Sequence, residues 1–243
     1  MSPKILVIQH NLDDHLNELA APLIEAGLEI ETWDVENTEA PTLDISAYDG
    51  IVSLGAIAGV LEESKHAWMP VERKMFEEAL ELDIPLLGIC FGSQLLASAG
   101  GAEVYKVATP EVGWTKVDMV SPAAGTGSAD PVMAALGDTP DVFHFHYDSF
   151  TIPENFELFG VSGAIPQAFK VGKRAWGMQF HIEVGLAAMH SWFATYGRAF
   201  EKEGVSIDEQ KAASAANWKA YRDRSWAVGT AFAAEVTDFA DSK

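Results

Sequence analysis

Cys90 is the only cysteine in a chain of 243 residues, and it stands within Pro85-Leu86-Leu87-Gly88-Ile89-Cys90-Phe91-Gly92-Ser93-Gln94-Leu95-Leu96-Ala97. The apolar run before it suits a short buried parallel strand, and the residues after it favour a helix. Glycines at both second neighbours leave room for a sharp strand-to-helix turn, the arrangement that exposes a nucleophile on strained backbone. A helix beginning at Phe91 would point its free N–H groups at the sulfur. Those dipoles favour the thiolate, the reactive form of a group whose unperturbed pKa is about 8.5. A thiol nucleophile also needs a base. Among seven histidines, His181 stands in Gly177-Met178-Gln179-Phe180-His181-Ile182-Glu183, at the end of an apolar strand. Glu183 lies two residues on, so in extended chain both side chains share a face and the carboxylate can fix the imidazole tautomer. Taken singly, Cys90 also suits a core position and the His/Glu pair a structural role. Their combination points to nucleophilic catalysis by a Cys90, His181, Glu183 relay.

The elements that must position these groups alternate regularly. Lys4–His10, Glu29–Val35, Tyr48–Gly55 and Leu86–Ile89 read as strands; His15–Ala26 and Pro70–Leu82 read as helices between them. That alternation means a parallel sheet with helices on both faces. After Gly100-Gly101 the pattern changes to short strands: Ala102–Val107, Gly113–Val120, Val142–His146, Leu158–Ser162, Ala168–Val171 and Trp176–Phe180. An antiparallel extension is expected there. From Gly185 the pattern is helical again, and Ser206-Ile207-Asp208-Glu209 has the spacing of a capping box that opens a last long helix. Trp218, Tyr221, Trp226 and Phe232 on that helix are expected to dock on the chain's own domain. Asp13-Asp14 and Glu62-Glu63 read as solvated charges.

Composition bounds the function. A hydrophobic content of 48% with 21% charged residues is that of a globular enzyme. Sixteen basic against thirty-six acidic residues give a net charge of −20, which disfavours nucleic-acid and membrane-surface partners. A single cysteine cannot form an internal disulfide, and no signal-peptide core precedes the first strand, so the cytoplasm is the expected compartment.

Gly88-Ile89-Cys90-Phe91-Gly92-Ser93-Gln94 together with Gln179-Phe180-His181-Ile182-Glu183 resembles the class I (triad) glutamine amidotransferase family, in particular its GMP-synthase-glutaminase-like, stand-alone branch. The likeness extends to the opening strand, the Gly55 loop, Glu111-Val112-Gly113-Trp114 and His144-Phe145-His146-Tyr147-Asp148-Ser149-Phe150. It implies a flavodoxin-like, doubly wound α/β fold with a mainly parallel sheet, a small antiparallel extension and C-terminal helices. Residues 1–200 would form the amidotransferase-like domain, with 201–243 a helical extension packed on it. It also implies hydrolysis or transfer at the γ-glutamyl amide of glutamine or a related γ-glutamyl compound, through a thioester on Cys90. Backbone N–H groups of Ala56 and Phe91 would hold the oxyanion. Gly55, Gln94, His146, Tyr147 and Asp148 would contact the substrate. No cofactor is implied. Similar proteins carry Gly-Gly-Pro where this chain has Gly55-Ala56-Ile57-Ala58-Gly59, and commonly glycine where it has Tyr147. The first change concerns the oxyanion loop, and the second concerns the substrate. Alternatives are a glutaminase subunit that delivers ammonia to a separate synthetase, and an inert binding module on the same fold. A zinc site on His144 and His146 lacks an indicated third ligand, so no metal is expected.

Overall fold

A computed structural model describes residues 2–42, 44–120 and 130–243. Its strands are β1 (Lys4–Gln9), β2 (Glu29–Asp34), β3 (Gly50–Ser53), β4 (Leu86–Ile89), β5 (Val104–Lys116), β6 (Asp118–Met119), β7 (Asp141–Phe150), β8 (Phe156–Ser162), β9 (Ile165–Val171) and β10 (Ala175–Met178). Its helices are α1 (Ala20–Glu25), α2 (Met69–Glu81), α3 (Phe91–Ala99), α4 (Pro131–Ala134), α5 (Leu186–Lys202) and α6 (Ile207–Ser242). Eight strands form one sheet in the order β2-β1-β3-β4-β10-β9-β8-β6. The first five run parallel and the last three antiparallel. A separate ribbon pairs β5 with β7. This is the doubly wound, flavodoxin-like fold with an antiparallel extension and C-terminal helices.

The central strands are short, apolar and buried because both faces of the sheet are covered. Alternation along β1 divides its side chains between two cores. Ile5 and Val7 join Leu19, Leu23, Trp192, Phe193, Val228 and Phe232 on the face of α1, α5 and α6. Leu6 and Ile8 join Phe76, Ala79, Leu95 and Leu96 on the face of α2 and α3. The parallel strands therefore end at one common edge, where such sheets place their sites.

Two expectations change. The helix expected from His15 begins as a single 3-10 turn at Asn17–Leu19 before α1. A tertiary contact competes there, for the Glu18 N–H donates to the Glu183 carbonyl at 2.9 Å. The strand expected over Ala102–Val107 and the first part of that expected over Gly113–Val120 merge into β5, while Asp118–Met119 separates as β6 against β8; the pairing of β5 with β7 shifts register between Lys106 and Glu111. A bulge of this kind lets one strand bend without losing its partner.

At the C-terminus, the Ser206 hydroxyl accepts the Glu209 N–H at 3.4 Å and opens α6. Tyr221 and Phe232 are buried, Trp218 is half-buried, and Trp226 faces solvent at 41% exposure, so docking of the aromatics fails for that one residue. Among the described residues no helix is long and apolar enough to cross a membrane.

Candidate active site

Cys90 caps α3 with φ 51° and ψ −107°, a conformation that costs an L-residue on the order of 1–3 kcal/mol. Neighbouring strands hold it there. The Cys90 N–H donates to the Met178 carbonyl at 2.8 Å, and the Gly92 N–H donates to the Leu54 carbonyl at 3.1 Å. The two glycines are required for different reasons. A Cβ on Gly88 would lie 2.6 Å from the Gly92 carbonyl oxygen, a collision within the turn. One on Gly92 would lie 2.4 Å from the Ser53 carbonyl oxygen, a collision with β3 rather than across the turn.

His181 lies three residues beyond β10, anchored by its N–H to the Phe143 carbonyl at 2.8 Å. Its Nδ1 donates to Glu183 Oε1 at 2.7 Å, while Glu183 Oε2 accepts the Ile182 N–H at 2.9 Å. Both side chains are buried. Burial opposes a charge on the imidazole, but the Glu183 carboxylate and the Cys90 sulfur outweigh it and raise the His181 pKa well above its ordinary value. Cys90 and His181 are thus neighbours, and both line one cavity.

Two cavities join at Cys90. One, of about 260 Å³, is lined by Asp13, Asp14, Gly55, His181, Trp192 and Tyr196 among others. The other, of about 210 Å³, is lined by Glu62, Phe91, Gln94, Lys106, His146 and Asp148 among others. Ala56, Ile57, Cys90, Phe145 and Tyr147 border both. Glu183 borders neither and stands behind His181. The Gln94 amide is held by the Asp148 carbonyl at 3.3 Å and by Gln179 Oε1 at 3.2 Å. Burial raises the Asp148 pKa, while Lys106 beside it pulls the other way.

The Ala56 departure is conformationally mild. Outside glycine, positive φ occurs among the described residues only at Asn17, Asp83 and Cys90, so Ala56 needs no left-handed backbone. Gly55 is required for space: a Cβ there would lie 2.7 Å from Asp14 Oδ2 and 3.1 Å from His181 Cε1.

Asp14 corrects the expectation of a solvated charge, because it is 3% exposed and lines the larger cavity. Burial pushes its pKa up to about 8, and the Glu183 carboxylate adds to this while His181 and His10 oppose it. A short acidic pair reads locally as loop surface, but this loop leaves the C-terminal end of β1, and that position was the available signal. A second buried pair also went unread. His10 Nδ1 lies 2.9 Å from the Gly55 carbonyl, and its Nε2 lies 2.9 Å from Glu72 Oε2. Both partners are acceptors, which the doubly protonated ring satisfies. Burial opposes that charge, but Glu72 outweighs it and raises the His10 pKa. Trp192, Tyr196 and Ala199 reach the larger cavity from α5 with the i, i+4, i+7 spacing of one helical face.

Glu111, His144 and His146 bring ligand atoms within 4.8 Å of one another, so the third group missing from the sequence reading of a metal site is Glu111. It is the cross-strand partner of His146. The same atoms are engaged in a relay, with His146 Nε2 at 3.2 Å from His144 Nδ1 and 3.3 Å from Glu111 Oε2. His146 Nδ1 donates to the Asp148 carbonyl at 3.1 Å, so the cluster also braces the Tyr147-Asp148 wall.

Comparison with known proteins identifies the family. The family model described as glutamine amidotransferase class-I matches residues 7–195. Two glutamine-hydrolysing GMP synthases are similar: that of Edwardsiella ictaluri is 29% identical over 170 residues, and that of Phenylobacterium zucineum is 30% identical over 174. Each alignment covers 68% of this chain, but only 31% and 30% of those proteins. The chain thus spans about a third of the curated relatives it matches. A solved glutamine amidotransferase from Thermotoga maritima superposes with a TM-score of 0.85 at 28% identity, covering 96% of this chain and 99% of that one. A solved glutamine amidotransferase from Methylobacillus flagellatus shares the fold at 19% identity, with a TM-score of 0.86 over 97% of this chain and 96% of that one.

Proposed function

Because the chain belongs to the class I glutamine amidotransferase family, we propose that it cleaves the γ-glutamyl amide bond of glutamine or a related γ-glutamyl compound through a thioester on Cys90. What carries this reading is a strained Cys90 at the strand edge beside a buried His181–Glu183 pair, with a cavity on either side. Cys90 Sγ attacks the amide carbon. The backbone N–H groups of Phe91 and Ala56 take the developing oxyanion, an electrostatic contribution that acts strongly in a buried site. His181, kept protonated beside the sulfur by Glu183, gives its proton to the leaving nitrogen. It then activates the water that releases glutamate. The smaller cavity suits the glutamyl end, since Lys106 and Glu62 offer opposite charges to a carboxylate and an ammonium, with Gln94, His146 and Asp148 beside them. Residues 1–200 are the catalytic unit in this reading. Residues 201–243 extend it, for α6 lines neither cavity but holds the Ile182 carbonyl through Ser225.

A second reading, a glutaminase subunit that passes ammonia to a separate synthetase, is suggested by its similarity to glutamine-hydrolysing GMP synthases. One experiment separates the readings: treat wild type and Cys90→Ala with a diazoketone analogue of glutamine, follow the intact mass, and measure ammonia release from glutamine. One adduct, absent in Cys90→Ala, with ammonia release is expected. An adduct with turnover only after a synthetase is added would favour the subunit. No adduct would sink the thioester mechanism.

A further inference from the structure

The larger cavity has the chemistry of a second substrate pocket, and its position relative to His181 assigns its occupant. His181 borders this cavity and not the smaller one, while Gln94, Lys106 and Asp148 border only the smaller one. Under the proposed function, the nitrogen that leaves must receive the His181 proton. It therefore departs on the larger cavity's side, and whatever substituent it carries extends there. Free glutamine has no such substituent and would leave about 260 Å³ unused.

The lining describes the substituent. Trp192 and Tyr196 project from one face of α5, Phe145 and Tyr147 come from β7, and Ile57, 71% exposed, stands at the border of both cavities. This aromatic surround is combined with carboxyl groups. Asp13 Oδ2 accepts the Tyr196 hydroxyl at 3.0 Å, and the Asp13 carbonyl accepts the Trp192 indole N–H at 3.3 Å. Asp14, 3% exposed, has an Oδ1 with no hydrogen-bond partner among the described residues. Aromatic faces with a buried carboxyl beside them attract an organic cation carried on an apolar stem.

We propose that the larger cavity is an amine subsite, and that the preferred substrate is a γ-glutamyl amide of an amine bearing an apolar stem and a positive charge, such as the monoamide of an alkyl diamine. This inference rests on the function proposed above and deepens it. Cys90 Sγ bonds to the amide carbon as the carbon–nitrogen bond breaks. The amine leaves with that electron pair and the proton from His181. Water then cleaves the thioester to glutamate and the free thiol. Asp14 pairs with the cationic end once the incoming ammonium has displaced the proton that burial otherwise keeps on its carboxyl, and Trp192 and Tyr196 flank the stem.

The test compares three substrates: glutamine, the γ-glutamyl monoamide of a four-carbon diamine, and that of n-pentylamine, a neutral chain of equal length. For wild type, kcat/KM for the diamine amide should exceed that for each of the others by at least about 10-fold. Asp14→Asn should bring the diamine and pentyl amides to within about 2-fold of each other, and Trp192→Leu should lower both relative to glutamine. Glutamine hydrolysed with neither substituted amide turned over would overturn the subsite. A pentyl amide equal to or better than the diamine amide, or a diamine preference that survives Asp14→Asn, would overturn the cation assignment. Labelling of Cys90 by the diazoketone in the same preparations separates these failures from a failure of the thioester mechanism, in which no substrate reacts and both proposals fall.

Discussion

Among the described residues two histidine–glutamate pairs have both side chains fully buried, and one of the two faces Cys90. His10 follows β1 and His181 follows β10, so both stand at the same edge of the parallel sheet. In both, burial opposes the imidazolium and a carboxylate outweighs it. They differ in what the second ring nitrogen does. His10 spends Nδ1 on the Gly55 carbonyl and Nε2 on Glu72, whose other oxygen accepts the Ser53 hydroxyl at 2.7 Å. Trp68 and Phe91 enclose the ring at 4.9 and 4.8 Å between centroids. His181 spends only Nδ1 on its carboxylate and turns the rest of its ring to Cys90 and the larger cavity. Under the proposed function, the same pair of side chains is a brace when both nitrogens are committed and a base when one is left for a substrate proton.

That contrast can be broken in several ways. Cys90→Ala and His181→Ala should each lower kcat for γ-glutamyl amide hydrolysis by on the order of 10⁴-fold, with comparable losses because the two act as a unit. Steady-state kinetics checks this, and retained activity in either variant would end the assignment. His10→Ala should instead act on stability, lowering the unfolding free energy by about 3–5 kcal/mol, because Glu72 is left buried and unpaired. Urea denaturation measures it; an unchanged midpoint would mean that His10 is no brace. Glu183→Gln should cost less than loss of the base, about 10²-fold in kcat.

The smallest effects are those of pH. The His10 pKa is raised, so its stabilising contribution is complete below the unfolded value of about 6.5 and is lost as pH rises through the higher folded value. The stability gap between wild type and His10→Ala should therefore narrow on the alkaline side. Asp14, moved from 3.8 to about 8, behaves with the same sign. Its proton stabilises the fold fully below 3.8, and that contribution is lost as pH rises through about 8. Asp14→Asn cannot ionise, so its melting temperature relative to wild type should climb between pH 5 and pH 9. A difference that stays flat over this range would contradict a proton held on Asp14.

Much of the fold could be read locally. The limits of β4 match the structure because an apolar run bounded by Pro85 and a turn has few other uses. The Cys90 turn was legible because Gly88 and Gly92 announce a backbone that tolerates no side chain. His181 and Glu183 could be paired because two residues of extended chain bring them together. The join of β5 across its bulge was less legible, since its pairing partner lies in β7. The larger cavity was not legible at all. Its walls come from the loop after β1, the loop after β3, β7 and α5, and Trp192 and Tyr196 look like ordinary core residues of an amphipathic helix.

By itself the amino-acid sequence determined the alternation of strands and helices, the strained cysteine and the local His181–Glu183 pair, because each depends on side chains a few residues apart. Only the tertiary structure decided that Asp14 is buried, that Glu72 locks His10, that Glu111 joins His144 and His146, and that the space around Cys90 divides in two. Those depend on which strand edges and helix faces meet across long sequence separations, as do desolvation and the charges it brings together.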